Sequence, residues 1–187
     1  MEDNGDFLGA VASNAGDDFH VLWATREMLR LLDAKGDVTA VKVEGLPLDD
    51  LHAELGEHAQ AADIVLTRHT PDGPTYRYLQ LKHSASNPQE NWTWSRLLTR
   101  RAKTKPLSSV LGKLAGLLKA VEFKGDFVIV TNQPLSAAVA KDIARLIRNG
   151  SKPVPEDAEL FGKLTKGLGL TAPQLVTFLK AWDLTGF

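Results

Sequence analysis

The sequence predicts an α/β fold: a mixed central sheet flanked by helices, with a small helical tail at the C-terminus. Three observations carry that expectation. Four short stretches (Val38–Glu44, Ala62–Arg68, Tyr76–His83 and Phe127–Thr131) alternate in polarity or run apolar in the manner of strands. Apolar residues recur at helical spacing before, between and after them, giving the order α-β-β-β-α-β-α and then the tail. The 187 residues, 43% hydrophobic and 24% charged, can bury one sizeable core.

Met1 to Ala15 is rich in Gly, Asp and Asn and reads as a flexible lead-in. Asp17 or Asp18 can cap a helix carrying Phe19, Leu22, Trp23, Leu29 and Leu32, which Gly36 ends. Val38–Glu44 alternates as a strand. Leu46–Gln60 is a connection with one helical turn around Leu51–Leu55. The turn signal Pro71-Asp72-Gly73-Pro74 joins the second and third strands into a hairpin. Trp92–Lys105 is partly helical. Leu107 to Val121 forms an amphipathic helix with Ser108 near its start, and Gly112-x-x-x-Gly116 inside it reads as close packing. Phe127–Thr131 is a buried strand. Ser136 caps a helix through Arg148, and Gly150 to Pro155 breaks it. Two short helices follow, the second starting at Leu170-Thr171-Ala172-Pro173. The domain division expected is 1–15 lead-in, 16–150 core and 151–187 helical extension, the last as the start of a linker to a further domain.

With no cysteine, disulfides and Cys-based zinc sites are excluded. No apolar run approaches a membrane span, and the acidic N-terminus is no signal peptide, so a cytoplasmic protein without a membrane partner is expected. The net charge of −1 conceals an asymmetry. Residues 1–64 hold 14 acidic and 4 basic side chains, whereas residues 77–124 hold 10 Lys/Arg against Glu90 and Glu122. The basic segment can offer phosphate a binding surface or be a solvated helix face.

The chemistry-bearing residues lie on the second and third strands. Gln80 and Lys82 share one face of a strand, and hairpin pairing brings Asp63 beside them. Phosphodiester hydrolysis needs oxygen ligands for Mg²⁺ or Mn²⁺, here Asp63, the Gln80 side-chain oxygen and the Leu81 carbonyl. It also needs a lysine to orient water and offset charge, here Lys82. Glu44, ending the first strand, is a further carboxylate for the metal or for catalysis. The structural alternatives are an edge-strand solubility lysine for Lys82, a strand-start residue bonded to backbone for Asp63 and a turn residue for Glu44. Arg96, Arg100, Arg101, Lys103 and Lys105 are candidate DNA contacts. Trp92 and Trp94 either wedge against DNA or anchor in the core. Thr131-Asn132-Gln133-Pro134 either lines the cleft or forms a capping turn. The five histidines have no metal-binding spacing, and His83 either touches substrate or is an exposed strand-end residue.

This order of elements and the Asp63…Gln80-x-Lys82 pattern resemble the PD-(D/E)xK, or restriction-endonuclease-like, nucleases with their αβββαβ core. More narrowly, Gly16-Asp17-Asp18-Phe19, Val43-Glu44, Asp63-Ile64 and Leu79-Gln80-Leu81-Lys82-His83 resemble the double-stranded-DNA endonuclease domain of bacterial anti-phage effectors. That domain occurs in CBASS (cyclic-oligonucleotide-activated) endonucleases and at the N-terminus of some antiviral NTPases. Over residues 16–150 the resemblance implies Asp63 as metal ligand, Gln80 in the Glu/Gln position, Lys82 as catalytic lysine and Glu44 as upstream acid. It also implies double-stranded DNA as substrate, a homo-oligomer in the active state, and fusion to a sensor or NTPase domain. His20 departs from the Gln of the family's first helix, and the chain has no room for the switching domain. Two other classes stay open: a silent nuclease-like fold used for binding, for which the neutral Gln80 speaks, and a helical adaptor whose strands are incidental.

Overall fold

The computed structural model describes residues 4–43, 61–100 and 108–187, with side chains from Ala15 onward. Glu44, the turn expected at Leu51–Leu55, and Arg101, Lys103 and Lys105 lie outside the described residues. Helix α1 (Asn4–Leu29) runs into a 3-10 turn (Arg30–Leu32) and then strand β1 (Val38–Val43). Strands β2 (Ile64–Thr70) and β3 (Gly73–Lys82) follow, then α2 (Trp94–Leu98), α3 (Val110–Ala120) and β4 (Asp126–Thr131). The chain ends with α4 (Ala137–Asn149), α5 (Ala158–Leu168), α6 (Ala172–Lys180), β5 (Trp182–Asp183) and a closing 3-10 turn (Leu184–Gly186).

Two starts differ from expectation. Helix α1 begins at Asn4, ahead of Asp17 and Asp18, so residues 4–15 are helical rather than a flexible lead-in. Ala10, Ala12 and Ala15 are the strongest helix formers, and no proline precedes Pro47. Ser109, not Ser108, caps α3, accepting from Gly112 N–H at 3.0 Å. Ser136 does sit at the N-cap of α4, but its side chain makes no capping bond.

The five strands lie in sequence order in a mixed sheet. Strands β1, β2 and β3 are antiparallel, whereas β4 runs parallel to β3 and β5 parallel to β4. This sheet overturns the helical-adaptor reading. Strand β3 lies between β2 and β4, so Lys82 is not an edge-strand lysine. Both faces are covered. Ile64, Leu66, Leu79, Leu81, Val128 and Val130 pack on Phe19, Trp23 and Ala24 of α1. The opposite face, with Val65, Tyr78, Phe127 and Ile129, meets α2 to α6 through Leu97, Leu114, Val139, Phe161 and Phe178. Helices α5 and α6 and strand β5 therefore share this core. Asp157, fully buried where α5 begins, joins it to α4 through Asn149 Nδ2 at 2.8 Å and Arg145 Nε at 2.6 Å.

A file of charges crosses the end of the sheet away from Lys82. Arg77 donates to Asp126 through Nε and Nη2, and its Nη1 lies 3.0 Å from Asp183. Arg68 stands 3.8 Å from Asp126 and 3.6 Å from Asp37, which Arg30 also reaches at 3.2 Å. Burial works against the Arg77 charge, but Asp126 and Asp183 outweigh it and raise its pKa. Burial, then Arg77, lower that of Arg68. Burial alone would raise the Asp183 carboxyl, yet the Thr185 N–H and Arg77 hold it below its ordinary 3.8. A carboxyl depressed on folding stabilises the fold above its unfolded pKa and loses that contribution as pH falls through the folded pKa. We expect Asp183→Asn to melt a few °C below wild type at neutral pH. The gap should close below about pH 4. Thermal melts of both proteins from neutral to strongly acidic pH check this; a gap independent of pH would exclude the carboxylate as its source.

Candidate active site

Asp63 directly precedes β2, and its own N–H donates to Leu79 O at 2.8 Å, which fastens it against β3. Its Oδ2 accepts from Leu81 N–H at 2.6 Å and from Gln80 Nε2. Gln80 is buried at 4% exposure. Lys82 closes the strand and donates through Nζ to Leu81 O at 2.9 Å. Hairpin pairing and strand alternation thus bring Asp63, Gln80, the Leu81 carbonyl and Lys82 together at the carboxyl end of β3. Ligands of open α/β sheets characteristically bind there, and the parallel neighbour β4 ends at the same level, with Lys82 opposite Thr131.

The cluster differs from expectation in detail. The Gln80 amide faces Asp63 with its nitrogen, and the Leu81 carbonyl already receives the Lys82 ammonium. Asp63 also makes the backbone bonds of the structural alternative. The oxygens of Asp63, Leu81 and Gln80 are hard donors suited to a cation such as Mg²⁺, which uses few protein ligands. Among the described residues no group of three or more His, Cys, Asp or Glu converges. A metal here would depend on one carboxylate plus neutral oxygens. Such a set fits a weakly held cation completed by water and substrate phosphate.

Beside Lys82 opens a groove of about 510 Å³, lined by His83, Glu90, Trp92, Thr93, Arg96 and Gln133 among others. Its far wall is the segment 84–99, tied to the β4–α4 loop. Asn132 pairs reciprocally with the Ser84 backbone, both bonds being 2.9 Å. Trp92 N–H donates to Pro134 O at 2.9 Å and Ser136 N–H to Trp92 O at 3.0 Å. Buried Gln133 donates to Asn87 O and accepts from Arg96 at 2.6 Å. Gln133 therefore lines the groove, while Asn132 clips the loop to the Ser84 backbone rather than capping a turn.

Arg96 is half-buried and its guanidinium is engaged by neighbours within the protein. Its guanidinium stacks 4.0 Å over the Trp92 ring, donates to Gln133, and lies 3.6 Å from the Glu90 carboxylate. It shapes the wall. Arg100 is exposed beyond α2. Trp92 is buried in the core and Trp94 donates to Asp142 at 2.8 Å, so the tryptophans are anchors rather than wedges. His83 packs at a tilt against Phe19 of α1, 5.2 Å between ring centroids. Sequence reasoning missed the hydroxyls of Thr93, Ser95 and Thr99 along the groove; isolated Ser and Thr in a polar stretch carry no signal. Among the described residues no helix is long and apolar enough to cross a membrane. No protein-family model and no curated protein matches the chain, so the site's own geometry carries the functional reading.

Proposed function

We propose that the chain is a Mg²⁺- or Mn²⁺-dependent endonuclease that cuts double-stranded DNA with little sequence preference. In this reading it is the effector of a bacterial anti-phage system, joined to a sensor or NTPase domain and active as a homo-oligomer. The observation that supports it is the hydrogen-bonded cluster of Asp63, Gln80, the Leu81 carbonyl and Lys82, the last of which also lines an open polar groove. The defence role rests on the resemblance of the sequence motifs alone.

Asp63, with the Leu81 and Gln80 oxygens, would hold the cation. When bound, it supplies an activated water and a Lewis acid for the phosphate. Lys82 orients that water and offsets negative charge on the phosphate. The Thr93 and Ser95 hydroxyls can donate to phosphate oxygens, contacts that position DNA without reading its bases, whereas the Thr99 hydroxyl is spent on Ser95 O at 2.7 Å. Supercoiled plasmid with Mg²⁺ or Mn²⁺ is expected to be nicked and linearised by wild type. Lys82→Ala should be slower by about 10²-fold or more. Equal cleavage by both proteins would place the activity elsewhere. If neither cuts, fusion to an oligomerising tag separates an effector awaiting its activator from an inert fold.

One observation favours a second reading, a silent fold that binds nucleic acid or protein: the Gln80 amide nitrogen is bonded to Asp63 and the Lys82 ammonium to the Leu81 carbonyl, as in a purely structural polar cluster. Mn²⁺ titration separates the two. Binding that disappears in Asp63→Ala supports the enzyme, and its absence in wild type supports the silent fold.

A further inference from the structure

Among the described residues that line the groove, Lys82 and Arg96 carry the fixed positive charge and Glu90 alone carries a negative one. Arg96 is built into the wall on two sides. Its guanidinium lies 4.0 Å over the Trp92 ring. Its Nη2 donates at 2.6 Å to Gln133, which is buried at 2% exposure and is itself bonded to Asn87 O. The fork is therefore fixed before any ligand arrives, which lowers the entropy cost of a further contact. The third side differs. Nη1 donates to the Glu90 backbone oxygen at 3.3 Å and lies 3.6 Å from the Glu90 carboxylate. That side chain is 57% exposed, against 28% for Arg96. An exposed ion pair beyond hydrogen-bond distance contributes little stability, so the fold gains little from this carboxylate. The Glu90 backbone has its own bond to Asn87 O at 3.2 Å, so the carboxylate can rotate away without moving the wall.

We propose that Arg96 is a phosphate-binding residue of the groove and that Glu90 is an internal anion which a DNA phosphate displaces from it. Carboxylate and phosphate oxygens meet a guanidinium in the same way, so Glu90 stands where a phosphate oxygen would. The exchange leaves the Trp92 stack, the Gln133 bond and the bond to the Glu90 carbonyl in place. It adds to Lys82 a second contact on the backbone, one that positions the duplex without reading its bases. It also makes Glu90 a brake on binding, because a duplex must break the Glu90–Arg96 pair before it can use Arg96. The inference rests on the reading of the groove as a DNA site, but not on cleavage.

Anisotropy of a short fluorescein-labelled DNA duplex, titrated with the full chain in EDTA, reads binding without cutting. Glu90→Gln should bind about fivefold more tightly than wild type, the upper range for an exposed ion pair. Glu90→Asp keeps the charge in the groove but withdraws it by one methylene, and it should tighten binding nearly as much. Arg96→Gln should weaken binding and reduce the salt slope by about 1. In that background Glu90→Gln should change nothing further. The Glu90 variants alter an exposed side chain, so their result stands even where Arg96→Gln loosens the wall. A Glu90→Asp protein that binds like wild type, or an equal gain from Glu90→Gln with and without Arg96, would reduce Glu90 to a repelling charge and overturn the exchange. Absence of binding by wild type and Glu90→Gln alike would overturn the subsite. Plasmid cleavage is read separately. A chain that shows the coupling yet cuts nothing keeps the subsite and loses the nuclease, and one that cuts without the coupling keeps the nuclease and loses the subsite.

Discussion

Asp63→Asn is expected to abolish cleavage while leaving the fold intact, the largest functional effect of any single change at the site. Asparagine has the shape of aspartate and keeps an oxygen that can accept the Leu81 N–H, now 2.6 Å from Oδ2. What disappears is the negative charge, which among Asp63, Gln80, Leu81 and Lys82 only Asp63 supplies. A hard dication held otherwise by an amide and a carbonyl oxygen loses its main anchor. Metal-ion stabilisation of a phosphoryl transition state is worth several kcal/mol, so the rate should fall by at least about 10³-fold. Asp63→Ala should be equally inactive and also less stable, because the Leu81 N–H is left unpaired at a cost of about 1–3 kcal/mol. Plasmid cleavage, Mn²⁺ binding and thermal melts of the three proteins provide the check. An active Asp63→Asn would remove Asp63 from any metal site and leave it as a clip between β2 and β3.

The parts of this fold that are legible in the sequence have a period or a turn signature. Strands β2 and β4 read clearly because apolar, β-branched runs are bounded by turn residues. The β2–β3 hairpin follows from Pro71-Asp72, with Thr70 paired to Gly73. Even there β3 starts at Gly73, not at Tyr76, and takes Pro74 into the strand. Strand β4 pairs only from Arg77 onward, so Pro74 has a sheet neighbour on one side alone, where a missing N–H is tolerated. Strand β5 was not legible. Two residues, Trp182 and Asp183, cannot show a period, and they pair only because α6 delivers them beside Phe127 and Val128.

The candidate site divides in the same way. Strand alternation and hairpin pairing are local rules, and they suffice to bring Asp63, Gln80 and Lys82 together. The partner each atom chooses is not local. Gln80 turns its nitrogen to Asp63, and Lys82 folds back onto the Leu81 carbonyl. The groove wall is less legible still, since Asn132 and Ser84 are 48 residues apart and meet through a side-chain amide against a bare backbone. Arg96 shows why a basic run is weak evidence of a DNA surface. Its stack on Trp92 and its bond to buried Gln133 depend on neighbours that charge counting does not see.

The largest loss of stability is expected from Gly125→Ala, at the turn that feeds α3 into β4. The turn is already strained, with Glu122 and Phe123 both left-handed at φ of 54° and 58°. Gly125 adds a φ of 115°, where a side chain is rarely accommodated. An added Cβ would overlap the Tyr76 carbonyl oxygen and come within 3.1 Å of its carbon. That obstacle is backbone of β3, held by β2 on its other side, so it cannot swing away as a flexible side chain would. The chain must instead draw back at Asp126, the first residue of β4 and the partner of Arg77. Backbone strain of about 1–3 kcal/mol adds to the overlap and to a weakened ion pair, for a loss of about 4 kcal/mol or more. At about 2–4 °C per kcal/mol for a chain of this size, the melting temperature should drop by roughly 10 °C. Glu122→Gly, at a position that is left-handed but exposed, should instead be neutral or stabilise by up to about 1 kcal/mol. The opposite signs of these two glycine exchanges in denaturant unfolding are the check, and a Gly125→Ala protein as stable as wild type would mean that β4 is not seated against β3 at this turn.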